Sequence, residues 1–182
     1  MREYKPWEEY PHFWKTESMF LSFIRGGIRR HLWAKNPIKL EFLKENRKRI
    51  VNPVVKGRKA HPTVWGWTCE QCGKDHKAVE VDHRTGEYSL RKITDIQSFV
   101  EGIVFIRKED LAILCKPCHK IKTHSERSGL SIEDAAIDKQ AIAICKEKAD
   151  VVKLWITEKG ETPAKTVPER KLQVKRMLKE GK

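Results

Sequence analysis

Along the segment TESMFLSFIRGGIRRHLWAK, apolar side chains return at every fourth position: Phe20, Ile24, Ile28 and Leu32. That spacing lays one apolar stripe along a helix beginning near Thr16 or Ser18, with Arg25, Arg29 and Arg30 mainly off the stripe. Gly26 and Gly27 fall inside the pattern, where glycine either weakens a helix or admits the close approach of another backbone. Asn36 and Pro37 then predict a second helix. Asparagine caps its first turn, and proline fits the first helical position because the N–H it lacks would have no intrahelical partner there. This helix is expected to end in the basic cluster KENRKR, residues 44–49.

Downstream, VNPVVKGRKAHPTVWGW reads as a connector rich in turn residues. Short extended segments are expected around Cys72 and in VEVDH, and a helix is expected to start near Cys118. Between them SLRKITDIQSFVEGIVF mixes polar and apolar positions as a small inserted helix would, with packing as its simplest role. Ser131 predicts another N-cap, with Glu133 and Asp134 placed to complement the helix dipole, and a helix running through AAIDKQAIAICKEKADVVKLW. Proline and glycine breakers then precede a short basic helix carrying Lys171, Lys175, Arg176 and Lys179. Trp14, Trp33 and Trp155 sit in helical contexts that suit core packing. The organisation is α+β: a basic helical region over 1–60, a small core over 61–128 with an insertion at about 86–107, and a helical extension with a basic tail over 129–182.

Composition changes this picture in two ways. In a chain of 182 residues, 39% hydrophobic and 35% charged, apolar surface is scarce, so a small core needs a staple such as a metal. The net charge is +13, and residues 1–60 alone hold 15 basic against 6 acidic side chains, a net of +9. Such an excess points to a polyanionic partner. No run of about 18 apolar residues exists to span a bilayer, and MREYKPWEEYPHFW is too charged for the apolar stretch of a signal peptide. The expectation is a soluble protein of the cytoplasm with no membrane partner.

Structural disulfides are rare in a reducing compartment, which bears on Cys69, Cys72, Cys115, Cys118 and Cys145. CKPCH taken alone fits c-type haem attachment, a redox pair or half of a zinc site. CEQC at 69–72 and CKPC at 115–118, with 42 residues between Cys72 and Cys115, together supply the four soft ligands of a tetrahedral structural zinc. Cys145 reads as a small buried hydrophobe in a helix. With the zinc shell closed by four sulfurs, His119 is left over beside it, and Asp82 and His83 lie between the two pairs. Adjacent residues of a strand face opposite ways, so this carboxylate and imidazole can divide their labour.

The succession CxxC, EVDH, DLAILC, CxxCH and KT resembles the HNH nuclease motif in its zinc-stapled form, over residues 69–123. The resemblance implies a ββα-metal fold in which His83 is the general base, Asp82 and His119 are ligands of a catalytic divalent cation, and Cys69, Cys72, Cys115 and Cys118 hold the zinc. Asp110 occupies the place of the family's usual asparagine, nine residues before His119. That asparagine steadies the loop of the base through its side chain, whereas a carboxylate accepts hydrogen bonds but cannot donate them. Some relatives carry a further histidine one turn after the last ligand. Here that position is Thr123, and His124 is turned about 140° away from His119 on a helix.

The implied reaction is hydrolysis of phosphodiester bonds to a 5′ phosphate and a 3′ hydroxyl, with Mg²⁺ as the catalytic ion and Mn²⁺ or Ni²⁺ as substitutes. A histidine base suits proton removal near neutral pH. Double-stranded DNA is the implied partner, with Arg25, Arg29, Arg30, Arg84 and Lys120 as candidate contacts; the sequence leaves monomer and homodimer open. Basic segments on both sides of such a core are similar to phage-encoded HNH enzymes, free-standing or homing, which act in the host cytoplasm. A zinc module that binds nucleic acid without cutting it is the rival reading, and Asp110 is the residue that favours it.

Overall fold

The computed structural model describes residues 4–53, 61–86 and 89–181. Residues 54–60 of the connector and 87–88 of the insertion lie outside the described residues. The chain divides into two compact units, Met1–Lys116 and Pro117–Lys182. Among the described residues no helix is long and apolar enough to cross a membrane.

The first unit opens with α1 (Pro6–Glu9) and α2 (Glu17–Ile28), whose N-terminus is capped by the Thr16 hydroxyl accepting from the Met19 amide. Gly26 and Gly27 neither break α2 nor admit a neighbour, since a Cβ at either would meet nothing within 4 Å. The helix instead loosens into a π-helical turn over Arg29–Trp33, with the Ala34 amide reaching back to the Arg29 carbonyl at 2.9 Å. The wider turn displaces the fourfold stripe. Leu32 is left 44% exposed and Trp33 turns inward, while Leu21, off the expected stripe, is the residue of α2 that is buried. Phe20 packs on Trp7 and Trp14 instead of the core.

α3 (Pro37–Glu45) starts as its sequence predicts, with the Asn36 side chain accepting from the Ile38 and Lys39 amides. It stops before the basic cluster is complete. Lys48–Val51 form β1, antiparallel to β2 (Thr63–Thr68), so the expected turn-rich connector ends in a strand that pairs with the residues just before it. What overrides the turn residues is one packing event. Ile50 is buried and fills the space beside Gly66, where an added Cβ would come within 2.7 Å of the His76 carbonyl oxygen. β3 (Asp75–His76) extends this sheet, with His76 opposite Trp67.

A second, two-stranded sheet pairs β4 (Glu80–His83) with β5 (Leu111–Leu114) antiparallel, Asp82 opposite Ala112 and His83 opposite Leu111. Val81, Leu111, Ile113, Ile106 and Phe42 form one core. The insertion contains α4 (Ile96–Val104), whose Phe99 and Ile103 form another core with Leu21 and Leu90. Trp33 packs against both cores, joining the N-terminal helices to the β4–β5 hairpin.

The second unit holds α5 (Lys116–Ser128) from its second residue onward, α6 (Ile132–Ile144), α7 (Ala149–Glu158) and α8 (Val167–Lys179). Ser131 caps α6 by accepting from the Asp134 amide. The single long helix expected through Trp155 is broken after Ile144, and Cys145 sits at the cap of α6 instead of inside a helix. The break lets Val152 and Ile156 of α7 join Ala141, Val174 and Met177 in one buried cluster. Burial of that kind outweighs the modest gain from continuing a helix.

The cations of α8 are engaged within this unit. Lys175 lies 3.2 Å and Lys171 3.9 Å from Asp138, Lys179 lies 2.5 Å from Asp134, and Arg176 pairs with Glu161 and Glu180. His124 closes the set through Nε2, 2.8 Å from the Asp138 carboxylate. Burial alone would raise the Asp138 carboxyl, but the hydrogen bonds from His124 and Lys175 and the charges of both lysines hold it below the ordinary carboxylate range. A depressed acid stabilises the fold above its unfolded pKa and loses that contribution as pH falls through the folded one. We therefore expect acid to weaken this unit below about pH 4. Asp138→Ala should cost about 1–3 kcal/mol near neutral pH, measurable by urea unfolding, with the penalty shrinking as the pH is lowered.

Candidate metal centre and the hairpin beside it

CEQCG folds as a tight knuckle at the end of β2. The Cys69 amide donates to the Lys74 carbonyl at 2.9 Å and the Gly73 amide to the Cys69 carbonyl at 2.8 Å. Gly73 takes φ of +67°, a conformation in which a side chain would be strained. β5 delivers Cys115, and the first turn of α5 carries Cys118. The sulfurs of Cys69, Cys72, Cys115 and Cys118 all lie within 4.8 Å of one another, a group that could hold a metal ion such as zinc. Tetrahedral zinc with Zn–S bonds of about 2.3 Å sets its sulfurs about 3.8 Å apart; Cys72 and Cys115 are at 4.0 Å. The donor set therefore fits the ion in number, softness and spacing.

The electrostatics lean the same way. Burial raises the Cys69 thiol, but the amides of Cys115, Cys72 and Gln71 and the Cys72 side chain more than offset it, lowering the thiol to about 7. Amides aimed at a sulfur favour its thiolate, the form that binds metal. His76 stands close by, its Nε2 at 3.8 Å from the Cys72 sulfur.

Glu70, inside the knuckle, links it to the β4–β5 hairpin. Its amide donates to the Ile113 carbonyl at 2.9 Å, and its Oε1 accepts from the Ile113 amide at 2.8 Å. Its Oε2 lies 2.7 Å from Arg84 Nη1. Arg84 Nε donates to the Glu109 carbonyl, and the Arg84 amide to the Asp110 carbonyl at 2.8 Å. Arg84, a candidate phosphate contact, thus has its guanidinium committed to holding the chain just after His83. The Asp110 side chain folds back onto the Arg107 amide. At this position the main-chain carbonyl, not the side chain, tethers the segment bearing His83.

Asp82 and His83 are neighbours on β4 and face opposite sides of it. His83 shares the face of buried Val81 and stacks on Trp33, with centroids 4.5 Å apart and 27° between the planes. Its Nε2 is buried. Lys39 lies on the same indole, with Nζ 4.8 Å from the ring centroid, donating to the Trp33 carbonyl at 3.3 Å; burial lowers its pKa. Asp82 is half-buried on the other face, and His119 is half-buried in the first turn of α5, directly after Cys118.

The candidate DNA contacts are not gathered on one element. Arg25 donates to the Leu90 carbonyl and is part of the packing between α2 and the insertion. Arg29 and Arg30 are exposed on the π-helical turn, and Lys120 is exposed on α5. Two contributors escaped the sequence reading. Trp33 read as core packing, and its stacking on His83 joins residues 50 apart in the chain. Glu70 is an unremarked letter inside CxxC. No family model, curated protein or solved structure matches the chain.

Metal removal is the direct test of this centre. Purified protein should carry about one zinc per chain, and Cys72→Ser should lose most of it and lower the melting temperature, because metal binding to such a set contributes directly to folding. Protons compete with metal at the Cys69 thiol, lowered to about 7, so zinc affinity, followed by competition with a chromogenic chelator, should weaken as the pH is lowered through and below that value.

Proposed function

We propose that the chain is a metal-dependent DNA endonuclease of the HNH type, with β4, β5 and α5 as its ββα-metal element. The observation that carries this reading is the hairpin that presents Asp82 and His83 on opposite faces and runs directly into Cys115 of the four-sulfur cluster. The order CxxC, EVDH, CxxCH supports it. In this reading the four sulfurs hold a structural zinc, and Asp82 and His119 offer one carboxylate and one imidazole to a catalytic cation. Mg²⁺ is the assigned ion, with Mn²⁺ or Ni²⁺ able to replace it; when bound, it supplies positive charge against the phosphate oxygens and the departing 3′ oxygen.

The remaining chemistry belongs to the chain. His83 takes the proton from the attacking water. With Nε2 buried, Nδ1 is the nitrogen assigned to that task. Stacking on Trp33 fixes the plane of the ring, and the Glu70–Arg84–Asp110 contacts fix the backbone that follows it. The products are a 5′ phosphate and a 3′ hydroxyl. Double-stranded DNA is the substrate class, held in part by exposed Arg29, Arg30 and Lys120. A phage-type homing or free-standing enzyme acting in the host cytoplasm fits the basic segments around the core.

A second reading has its own support. The burial of His83 Nε2 under Trp33 and the carboxylate at position 110 suit a zinc module that binds nucleic acid without cutting it. Supercoiled plasmid with added Mg²⁺ separates the two. The nuclease reading expects nicked or linear product from the native protein. For His83→Ala it expects cleavage reduced by at least about a hundredfold, with DNA binding retained in a gel-shift assay. Plasmid that is bound but left intact by the native protein would decide for the silent module.

A further inference from the structure

β1 and β2 place Arg49 directly opposite Trp65 and Lys48 opposite Gly66. Side chains alternate along a strand and opposed residues share a face. Arg47, Arg49, Trp65 and Trp67 therefore line one side of the pair, and Ile50 turns to the other, where it is buried. On the first side Trp65 is 47% exposed. The Arg47 and Arg49 guanidinium carbons lie 4.8 and 5.0 Å from its ring centroid, and Arg47 lies 5.9 Å from that of Trp67. Trp67 is anchored, its Nε1 donating to the Leu43 carbonyl at 2.7 Å.

The charges of the two faces are handled differently. Lys48, on the face of Ile50, pairs with Asp75 at 3.0 Å. Among the described residues neither Arg47 nor Arg49 pairs with a carboxylate. The strip thus offers a half-exposed indole between two cations whose N–H groups carry no counter-charge. Exposed cation–π contacts are weak enough to exchange for another partner.

We propose that this strip binds single-stranded DNA, with a base stacked on Trp65 and neighbouring phosphates held by Arg47 and Arg49. Two chemistries must be met at once. The guanidiniums match phosphate oxygens in the paired geometry that arginine favours, and the indole face matches a planar ring. A base offers that ring only when it is unpaired and unstacked, because a duplex hides its base faces. An acidic peptide would satisfy the arginines and leave the indole unused. Arg47, Arg49 and Trp65 lie on or beside β1 and β2 and not on the β4–β5 hairpin, and the stacking stands whether or not the chain cuts DNA. Only the choice of DNA over RNA rests on the nuclease reading.

The test is fluorescence anisotropy on the full-length protein without added Mg²⁺, using labelled oligo(dT) of about fifteen nucleotides, the duplex of the same length and oligo(rU). Trp65→Ala should weaken oligo(dT) binding by at least about fivefold and change duplex binding less than twofold, while Trp65→Phe retains most of the affinity. Replacing both Arg47 and Arg49 by alanine should reduce the slope of log affinity against log salt by about 1.4 for the single strand.

Unchanged oligo(dT) affinity in Trp65→Ala, or an equal loss on the duplex, would overturn the proposal, and tighter Trp65-dependent binding of oligo(rU) would overturn the choice of DNA. Melting curves verify that each variant folds. If Trp65→Ala does not, Trp65→Phe and the arginine variant decide, and an unchanged salt slope overturns the proposal. A protein that binds oligo(dT) through Trp65 yet leaves plasmid intact keeps this proposal and removes the nuclease. One that cuts plasmid and binds oligo(dT) without Trp65 does the reverse.

Discussion

Four thiols gathered within 4.8 Å of one another impose a charge constraint on everything near them. Fully ionised and unaccompanied, they would place four negative charges in a space where burial penalises even one. A soft divalent cation removes the conflict and turns repulsion into coordination. The two pairs stand 42 residues apart in sequence, so holding them together closes a long loop. Inside that loop lie β3, β4, the insertion and β5, and with them Asp82, His83 and Asp110. For a chain with little apolar surface, a metal held at the neck of this loop would organise the region that also carries its candidate chemistry.

Within the loop, ordinary hydrogen bonds do the positioning. Glu70 takes both its amide and its carboxylate to the two edges of Ile113 and extends its second oxygen to Arg84. Arg84 in turn is held by the carbonyls of Glu109 and Asp110. Trp33, shared between two cores, sets the plane of His83. The N-terminal helices therefore have a structural reason to exist besides any contact with DNA, and Arg25 is one place where that reason prevails.

What could be read from sequence was mostly local. Asn36–Pro37 and Ser131 announce helix starts because capping is settled within three residues, and the two CxxC pairs announce a shared site because their chemistry does not depend on the path between them. What was missed depends on distant partners. Lys48–Val51 becomes a strand because Ile50 finds Gly66. The helix after Ser131 stops at Ile144, with no glycine or proline to signal it, because α7 buries Val152 and Ile156 by folding back. The π-helical turn that swings Trp33 inward leaves no mark in the fourfold pattern. Where the candidate catalytic groups are concerned, residue types and order were legible, but the stacking on His83 and the carbonyl tether at Asp110 were not.

The cysteine centre could hold a metal ion such as zinc, and the reading proposed for the hairpin and the exposed arginines and tryptophan is that the chain acts on a phosphate backbone. The chemistry of the cut ends tests that account most directly. DNA cleaved by the protein in Mg²⁺ should be resealed by a DNA ligase without prior end treatment, as 5′ phosphate and 3′ hydroxyl termini require. Ends that ligase cannot join until a 3′ phosphate is removed and the 5′ hydroxyl is phosphorylated would contradict the mechanism assigned to His83.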